Sequence, residues 1–193
     1  MNRFFLLVAG LCAATASLAQ RNDRQTDLLG KGSLGAGVTI STGYSGYWGL
    51  NGRVVPRLHY AVKDGWSAGL EGRYQTNGSQ SRYVGAGVST RYYFVRFRQL
   101  AVFGQAGATV GQSRSRTYYA DKGVDPLLPS GNHSEQKARV WQGTTGLGAH
   151  VRVSNRWALE AMAERTLVNS RGPLKNYGRW QGSAGATYQL KRK

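Results

Sequence analysis

From Ser33 to Ser41 the chain alternates with a period of two. Ser33, Gly35, Gly37, Thr39 and Ser41 are polar or very small, whereas Leu34, Ala36, Val38 and Ile40 are apolar. Side chains two apart share one face of a strand, so this stretch predicts a strand with one oily and one polar face. The alternation then returns along the chain. Val54, Pro56, Leu58, Tyr60 and Val62 oppose Arg53, Arg57 and His59. Trp66, Ala68, Leu70 and Tyr74 oppose Ser67, Glu71, Arg73 and Gln75. Val84, Ala86, Val88, Tyr92 and Phe94 oppose Gly85, Gly87, Ser89 and Arg91. Leu100, Val102, Ala106, Ala108 and Val110 oppose Phe103, Gln105, Gly107 and Thr109. Trp141, Leu147, Ala149, Val151 and Val153 oppose Gln142, Thr144, His150 and Arg152. Trp157, Leu159, Ala161 and Ala163 oppose Glu160, Met162 and Glu164. In the last segment Trp180, Ala184, Ala186, Tyr188 and Leu190 oppose Gln181, Ser183, Thr187 and Gln189. Each segment runs for about 9 to 13 residues, close to the ~9–11 a tilted membrane strand requires.

The connections alternate in length. Lys63-Asp64-Gly65, Arg96 to Gln99 and Ser154-Asn155-Arg156 are tight turns, whereas Gly43 to Leu50, Thr76 to Ser81, Ser113 to Lys137 and Asn169 to Gly178 read as longer loops. Short turns at one end and long loops at the other are the layout of an outer-membrane barrel, with the short turns in the periplasm. The expected fold is therefore all-β, an eight-stranded antiparallel up-and-down transmembrane β-barrel.

A soluble barrel shows the same alternation with its faces reversed, so composition must choose between the two. The oily face carries almost no charge, with Arg165 near a strand end as the main exception. A basic side chain costs ~2–4 kcal/mol at a bilayer midplane but ~0–1 near the interface, which makes an end position tolerable. The opposite face is crowded and ionic, and aromatic residues gather near the segment ends (Trp66, Tyr92, Phe94, Trp157, Trp180, Tyr188), as interfacial girdles do. Both features favour the membrane barrel. Composition agrees: the 193 residues hold 27 glycines, 4 prolines and only 18% charged residues, against ~25% charged in soluble domains.

Residues 1–19 read as a cleaved signal peptide. Asn2 and Arg3 form a short basic start, Phe4 to Ala16 an apolar core, and Ser17-Leu18-Ala19 a small-x-small cleavage site before Gln20. Retention as an anchor and lipidation at Cys12 are the weaker alternatives. The apolar run is too short to span a bilayer, and Leu11 occupies the place before Cys12 where a small residue is needed. Residues 20–30 are expected to be a short periplasmic segment and 31–193 the barrel domain. Export to the bacterial outer membrane changes the meaning of the net charge of +17. Nucleic acid, the usual partner of a basic chain, is not expected there, and a basic rim beside phosphorylated lipid headgroups is.

Ser183-Ala184-Gly185-Ala186-Thr187-Tyr188-Gln189-Leu190 reads polar-x-Gly-x-x-aromatic-x-hydrophobic, and it resembles the C-terminal signal that outer-membrane barrels present to the barrel-assembly machinery. Ser183, Gly185, Tyr188 and Leu190 carry that resemblance; the departure is the basic tail Lys191-Arg192-Lys193. Over about residues 30–191 the chain resembles the small outer-membrane β-barrel domain family of the OmpA/OmpX type, within the porin-like superfamily. Phrases such as Pro56-Arg57-Leu58-His59-Tyr60-Ala61-Val62 and Gly69-Leu70-Glu71 contribute to the likeness. The resemblance implies a role in envelope integrity, adhesion or host contact and no single activity.

The chemistry expected inside is ionic. Charges removed from water must be paired, which predicts a lumen network of Glu71, Glu160 and Glu164 with Arg53, Arg57, Arg73, Arg91 and Arg152. Eight strands enclose a lumen that side chains just fill, so a plug is expected. The alternative is a narrow pore whose arginine surplus favours anions. No catalytic, metal or cofactor site is expected. His133-Ser134-Glu135 holds the residue types of a triad, but neighbours in a loop lack its geometry. A lipid-modifying barrel enzyme needs a histidine on the outer face, where none is expected. Gly35 with Gly37 and Gly85 with Gly87 fall on the inward phase, as space-savers and not as a nucleotide loop. The expected partners are outer-membrane lipid, lipopolysaccharide and the assembly machinery, with the protein a monomer. Loop cations Arg82, Arg114, Arg116, Lys122, Lys137, Arg171 and Lys175, with Tyr118, Tyr119 and Tyr177, are candidates for binding lipopolysaccharide or a surface polymer.

Overall fold

Alternation of this kind leaves each strand with two incompatible faces, and closing the sheet on itself separates them. In a computed structural model, which describes residues 29–45, 49–77, 81–97, 99–118, 133–169 and 180–191, the chain does so. The strands are β1 (Leu34–Ser45), β2 (Gly49–Lys63), β3 (Trp66–Asn77), β4 (Ser81–Arg96), β5 (Leu100–Tyr118), β6 (His133–Arg152), β7 (Trp157–Asn169) and β8 (Trp180–Lys191). Each pairs antiparallel with its neighbour in sequence, and β1 pairs with β8 to give a closed barrel in the order β1 to β8. The expected signal peptide, Cys12 and most of the expected N-terminal segment lie outside the described residues.

The faces sort as the period of two requires. Leu70 is 62% exposed and Val88 59%, whereas Arg73 and Glu164 inside are 2% and 1% exposed. A soluble barrel has the reverse arrangement. Outward aromatics lie at both ends of the apolar surface. Tyr60, Trp66, Tyr92, Phe94 and Trp157 stand toward the short turns, and Tyr74, Trp141 and Trp180 toward the long connections; all are exposed. The indole N–H of Trp66 donates to Thr90 Oγ1 (2.6 Å), and Thr90 Oγ1 donates in turn to the Ser67 carbonyl oxygen (3.1 Å). Both polar groups are thereby satisfied on the apolar outer surface.

At the short-turn end, Gly65 adopts φ 75°, the left-handed conformation that lets β2 reverse into β3. Lys31 N–H donates to Asp64 Oδ1 across this turn (3.0 Å). The interior just above is apolar. Leu29, from the segment before β1, is buried in one cluster with Tyr93, Ala101, Phe103 and Met162.

Where loops were expected, the strands run on. β1 reaches Ser45 and β2 begins at Gly49; β3 ends at Asn77 and β4 begins at Ser81. The stretch expected as a loop over 113–137 is paired at both of its ends, in register from Ser113↔Ala138 to Tyr118↔His133, and its residues 119–132 lie outside the described residues. Arg82, Arg114, Arg116 and Lys137 are therefore strand residues, not loop residues. The reason is physical: the backbone ladder needs only N–H and C=O groups, so it continues where the apolar beat stops. Lys122, Tyr119, Arg171, Lys175 and Tyr177 lie outside the described residues.

Register explains the glycines. Gly37 stands opposite Arg57, Gly87 opposite Glu71, Gly85 opposite Arg73, Gly146 opposite Glu164 and Gly185 opposite Glu160. A Cβ would strike the neighbouring strand's backbone at Gly146 and Gly185, and Thr187 Oγ1 and the Tyr83 hydroxyl at Gly37 and Gly85. A Cβ at Gly87 would strike the Ala108 carbonyl on β5, whereas one at Gly182 would meet nothing. Gly87→Val is expected to destabilise the barrel by roughly 1–3 kcal/mol, the usual range for overpacking, with Gly182→Ala near neutral. Urea unfolding in lipid vesicles checks the pair, and equal midpoints would remove the space-saving role.

Candidate functional site: the charged lumen

The inward faces of β2, β3, β4 and β7 deliver ionic side chains to the barrel axis, where they meet in two groups. The first is built on Glu71 of β3 and Glu164 of β7. Arg57 lies directly opposite Glu71 in the β2–β3 ladder, and its Nε donates to Glu71 Oε2 at 3.3 Å. Arg53 reaches across the lumen to Glu164 Oε1 at 2.7 Å, and Arg57 Nη2 approaches Glu164 Oε2 at 3.5 Å. Arg73 Nη2 lies 3.1 Å from both Glu71 Oε1 and Glu164 Oε1. Arg57 also donates to Thr39 Oγ1 (3.0 Å). Three guanidinium groups thus share two carboxylates, all buried.

The second group is built on Glu160 of β7. Arg91 Nη1 donates to Glu160 Oε1 at 2.9 Å and Arg91 Nε to Gln105 Oε1 at 2.8 Å. Thr187 Oγ1 donates to the same carboxylate oxygen at 2.7 Å, and His150 Nδ1 lies 3.3 Å from it. The Arg91 guanidinium also covers the Phe103 ring at 4.7 Å. Phe103 packs on Tyr93 with ring centroids 5.3 Å apart, so this ionic group rests on the apolar floor that holds Leu29. Arg152 is placed differently from the other expected members. Its Nε donates to the Ser154 carbonyl (3.1 Å) and its Nη2 to Asn155 Oδ1 (3.3 Å), which ties it to the β6–β7 turn.

Sequence reading named the charged members and missed their neutral partners. Thr39, Gln105 and Thr187 share the inward parity of their strands, but only register shows that they reach the charges. Tyr93, two residues beyond Arg91, carried the same parity signal. His59 lies on the lumen side with its ring against Gly35. Ser183 and Gly185 line the β8 ladder toward the lumen. Tyr188 stacks on Trp157 at 5.0 Å and accepts a hydrogen bond from Arg156 Nη1 at 3.0 Å, while Leu190 faces outward. The run His133-Ser134-Glu135 is extended in β6 and not a loop. No group of three metal-ligating side chains occurs among the described residues.

No protein-family model and no curated protein matches the sequence. Solved structures do match in fold. The N-terminal β-barrel domain of Pseudomonas aeruginosa OprF superposes with a TM-score of 0.59 at 11% identity, covering 83% of this chain and 99% of that one. Neisserial surface protein A gives 0.49 at 15% identity over 82% and 96% of the two chains. Ail, the attachment invasion locus protein of Yersinia pestis, gives 0.46 at 13% identity over 83% and 99%. The fold is that of the small outer-membrane β-barrels.

Removing one partner of a buried ion pair strands the other's charge and typically costs ~3–5 kcal/mol. Glu164→Gln takes from Arg53 its carboxylate partner, leaves Arg57 and Arg73 with Glu71 alone, and is expected to destabilise the barrel by about that amount. Glu135→Gln breaks only the exposed 3.9 Å contact with Arg114 and should cost under ~1 kcal/mol. Unfolding midpoints that fall equally for the two variants would refute the ranking.

Proposed function

We propose that the protein is a bacterial outer-membrane barrel that acts without catalysis, as a closed structural element of the envelope with its extended hairpins available for contact. The observation that carries this reading is the inversion of the two faces: apolar side chains exposed all round the wall, with Arg53, Arg57, Arg73, Arg91, Glu71, Glu160 and Glu164 buried at the axis. That arrangement is stable only with hydrocarbon outside. The fold shared with the OprF barrel domain supports the outer membrane as its location, and so does the signal-peptide pattern of residues 1–19.

The lumen is closed in this reading. Arg53–Glu164 and Arg91–Glu160 each join strands on different sides of the barrel, at 2.7 and 2.9 Å. A permeating ion would have to part them in a low-dielectric setting. Below them the Tyr93, Phe103, Met162 and Leu29 cluster offers an ion no polar side-chain group but the Tyr93 hydroxyl in exchange for its water. The protein works as a monomer in this reading, inserted by the assembly machinery through the β8 signal.

Two measurements test it. The native protein should fractionate with the outer membrane and change gel mobility on boiling; a freely dissolved periplasmic product would overturn the membrane reading. In planar bilayers the purified barrel should be silent, and Arg53→Ala with Glu164→Ala should admit small ions. Steady anion-selective channels from the unaltered protein would replace the plug with the pore.

A further inference from the structure

The lumen network leaves one group of cations unused. Arg82 on β4, Arg114 and Arg116 on β5, and Lys137 and Arg139 on β6 are all exposed on the outer wall. They share the outward parity of Val84, Val110 and Trp141. Register draws them together: Arg82 is directly opposite Arg114, and Arg114 directly opposite Lys137. Arg139 lies opposite Gln112, and Arg116 opposite Glu135. Like charges facing one another across a sheet repel. Among the described residues the cluster's one ion pair is the long contact of Arg114 with Glu135 at 3.9 Å. Arg82 instead lies over the Tyr74 ring at 5.0 Å.

The height of the cluster identifies what is missing. Arg82 is two positions from outward Val84, and Arg139 two positions from outward Trp141, a step of roughly 6–7 Å along a strand. The cations therefore stand just beyond the upper edge of the apolar belt and point sideways from the wall, at the depth of lipid headgroups. In the same ladder row as Arg82, the outward position of β3 holds uncharged Thr76. A groove of about 460 Å³ lies beside the cations, lined by Val110, Gln112, Lys137 and Arg139 among others. Guanidinium forks match phosphate oxygens in bidentate geometry.

We infer that this face of β4–β6 binds the phosphate groups of a phosphorylated glycolipid in the outer leaflet, with Arg114, Lys137 and Arg139 as its centre. The inference rests on the outer-membrane reading and adds a fixed position for one lipid. The lipid phosphates neutralise cations that the fold has placed side by side, and the acyl chains lie along the apolar wall below. A soluble polyanion is disfavoured, because the cations face along the membrane plane and border directly on Val84 and Trp141.

The test uses the purified full barrel reconstituted in phosphatidylcholine vesicles containing bisphosphorylated lipid A or its chemically dephosphorylated form. Bisphosphorylated lipid A is expected to raise the temperature at which the folded gel form is lost by several degrees, and the dephosphorylated lipid to leave it unchanged. In neutral detergent, native mass spectrometry should show the phosphorylated lipid retained at least tenfold more tightly. Arg114→Gln with Arg139→Gln should abolish both differences, whereas Lys63→Gln at the opposite rim should keep them. Equal effects of the two lipids, or full retention by the double variant, would overturn the site. Displacement of lipid A by an equal concentration of soluble polyphosphate would overturn its assignment to a lipid. A barrel that inserts normally yet ignores lipid phosphate counts against the site alone; one that inserts into no vesicle counts against the membrane reading beneath it.

Discussion

Everything in this molecule depends on how Glu71, Glu160 and Glu164 are shared. Four arginines, Arg53, Arg57, Arg73 and Arg91, stand around these three carboxylates at ion-pair distances between 2.7 and 3.5 Å. None of these groups retains bulk water. In such surroundings an unmatched charge is far more costly than at a surface, so β2, β3, β4 and β7 are fixed in phase by the partners their charges must reach. A slip of one residue in any ladder would turn the ionic face toward lipid and the apolar face toward the axis.

The glycines follow from the same constraint. Arg57, Glu71, Arg73, Glu160 and Glu164 each have a glycine opposite on a neighbouring strand. A small barrel has too little cross-section for a long side chain beside a bulky one. At Gly87, Gly146 and Gly185 a Cβ would also strike the neighbouring strand's backbone. Neutral acceptors complete the arrangement: Thr39 takes a spare donor of Arg57, and Gln105 one of Arg91.

Outside, two solvents divide the surface. Hydrocarbon contact sets the apolar belt and its aromatic borders, and Trp66 shows how a border residue satisfies its indole N–H internally. Above the belt, β5 and β6 continue for several residues as a polar hairpin whose ladder no longer needs apolar side chains. That continuation stacks Arg82, Arg114 and Lys137 in one row. As loop residues they would be free to separate. As strand residues they are held together and call for an anion.

The sequence alone determined the strand number, the parity of the residues within each apolar alternation and the identity of the buried charges, because a period of two is a local property that survives without knowledge of the neighbours. Ser33 to Ser41 and Trp157 to Glu164 could be read in this way without any partner strand. Register, by contrast, joins residues far apart in the chain. Only the closed barrel decided that Arg53 meets Glu164 across the lumen, that Arg152 turns to Ser154 and Asn155, and that Gly87 lies opposite Glu71. The same holds where the apolar beat stops. Residues 113–118 and 133–137 lack the apolar beat, so their pairing is visible only in the hydrogen-bonded ladder.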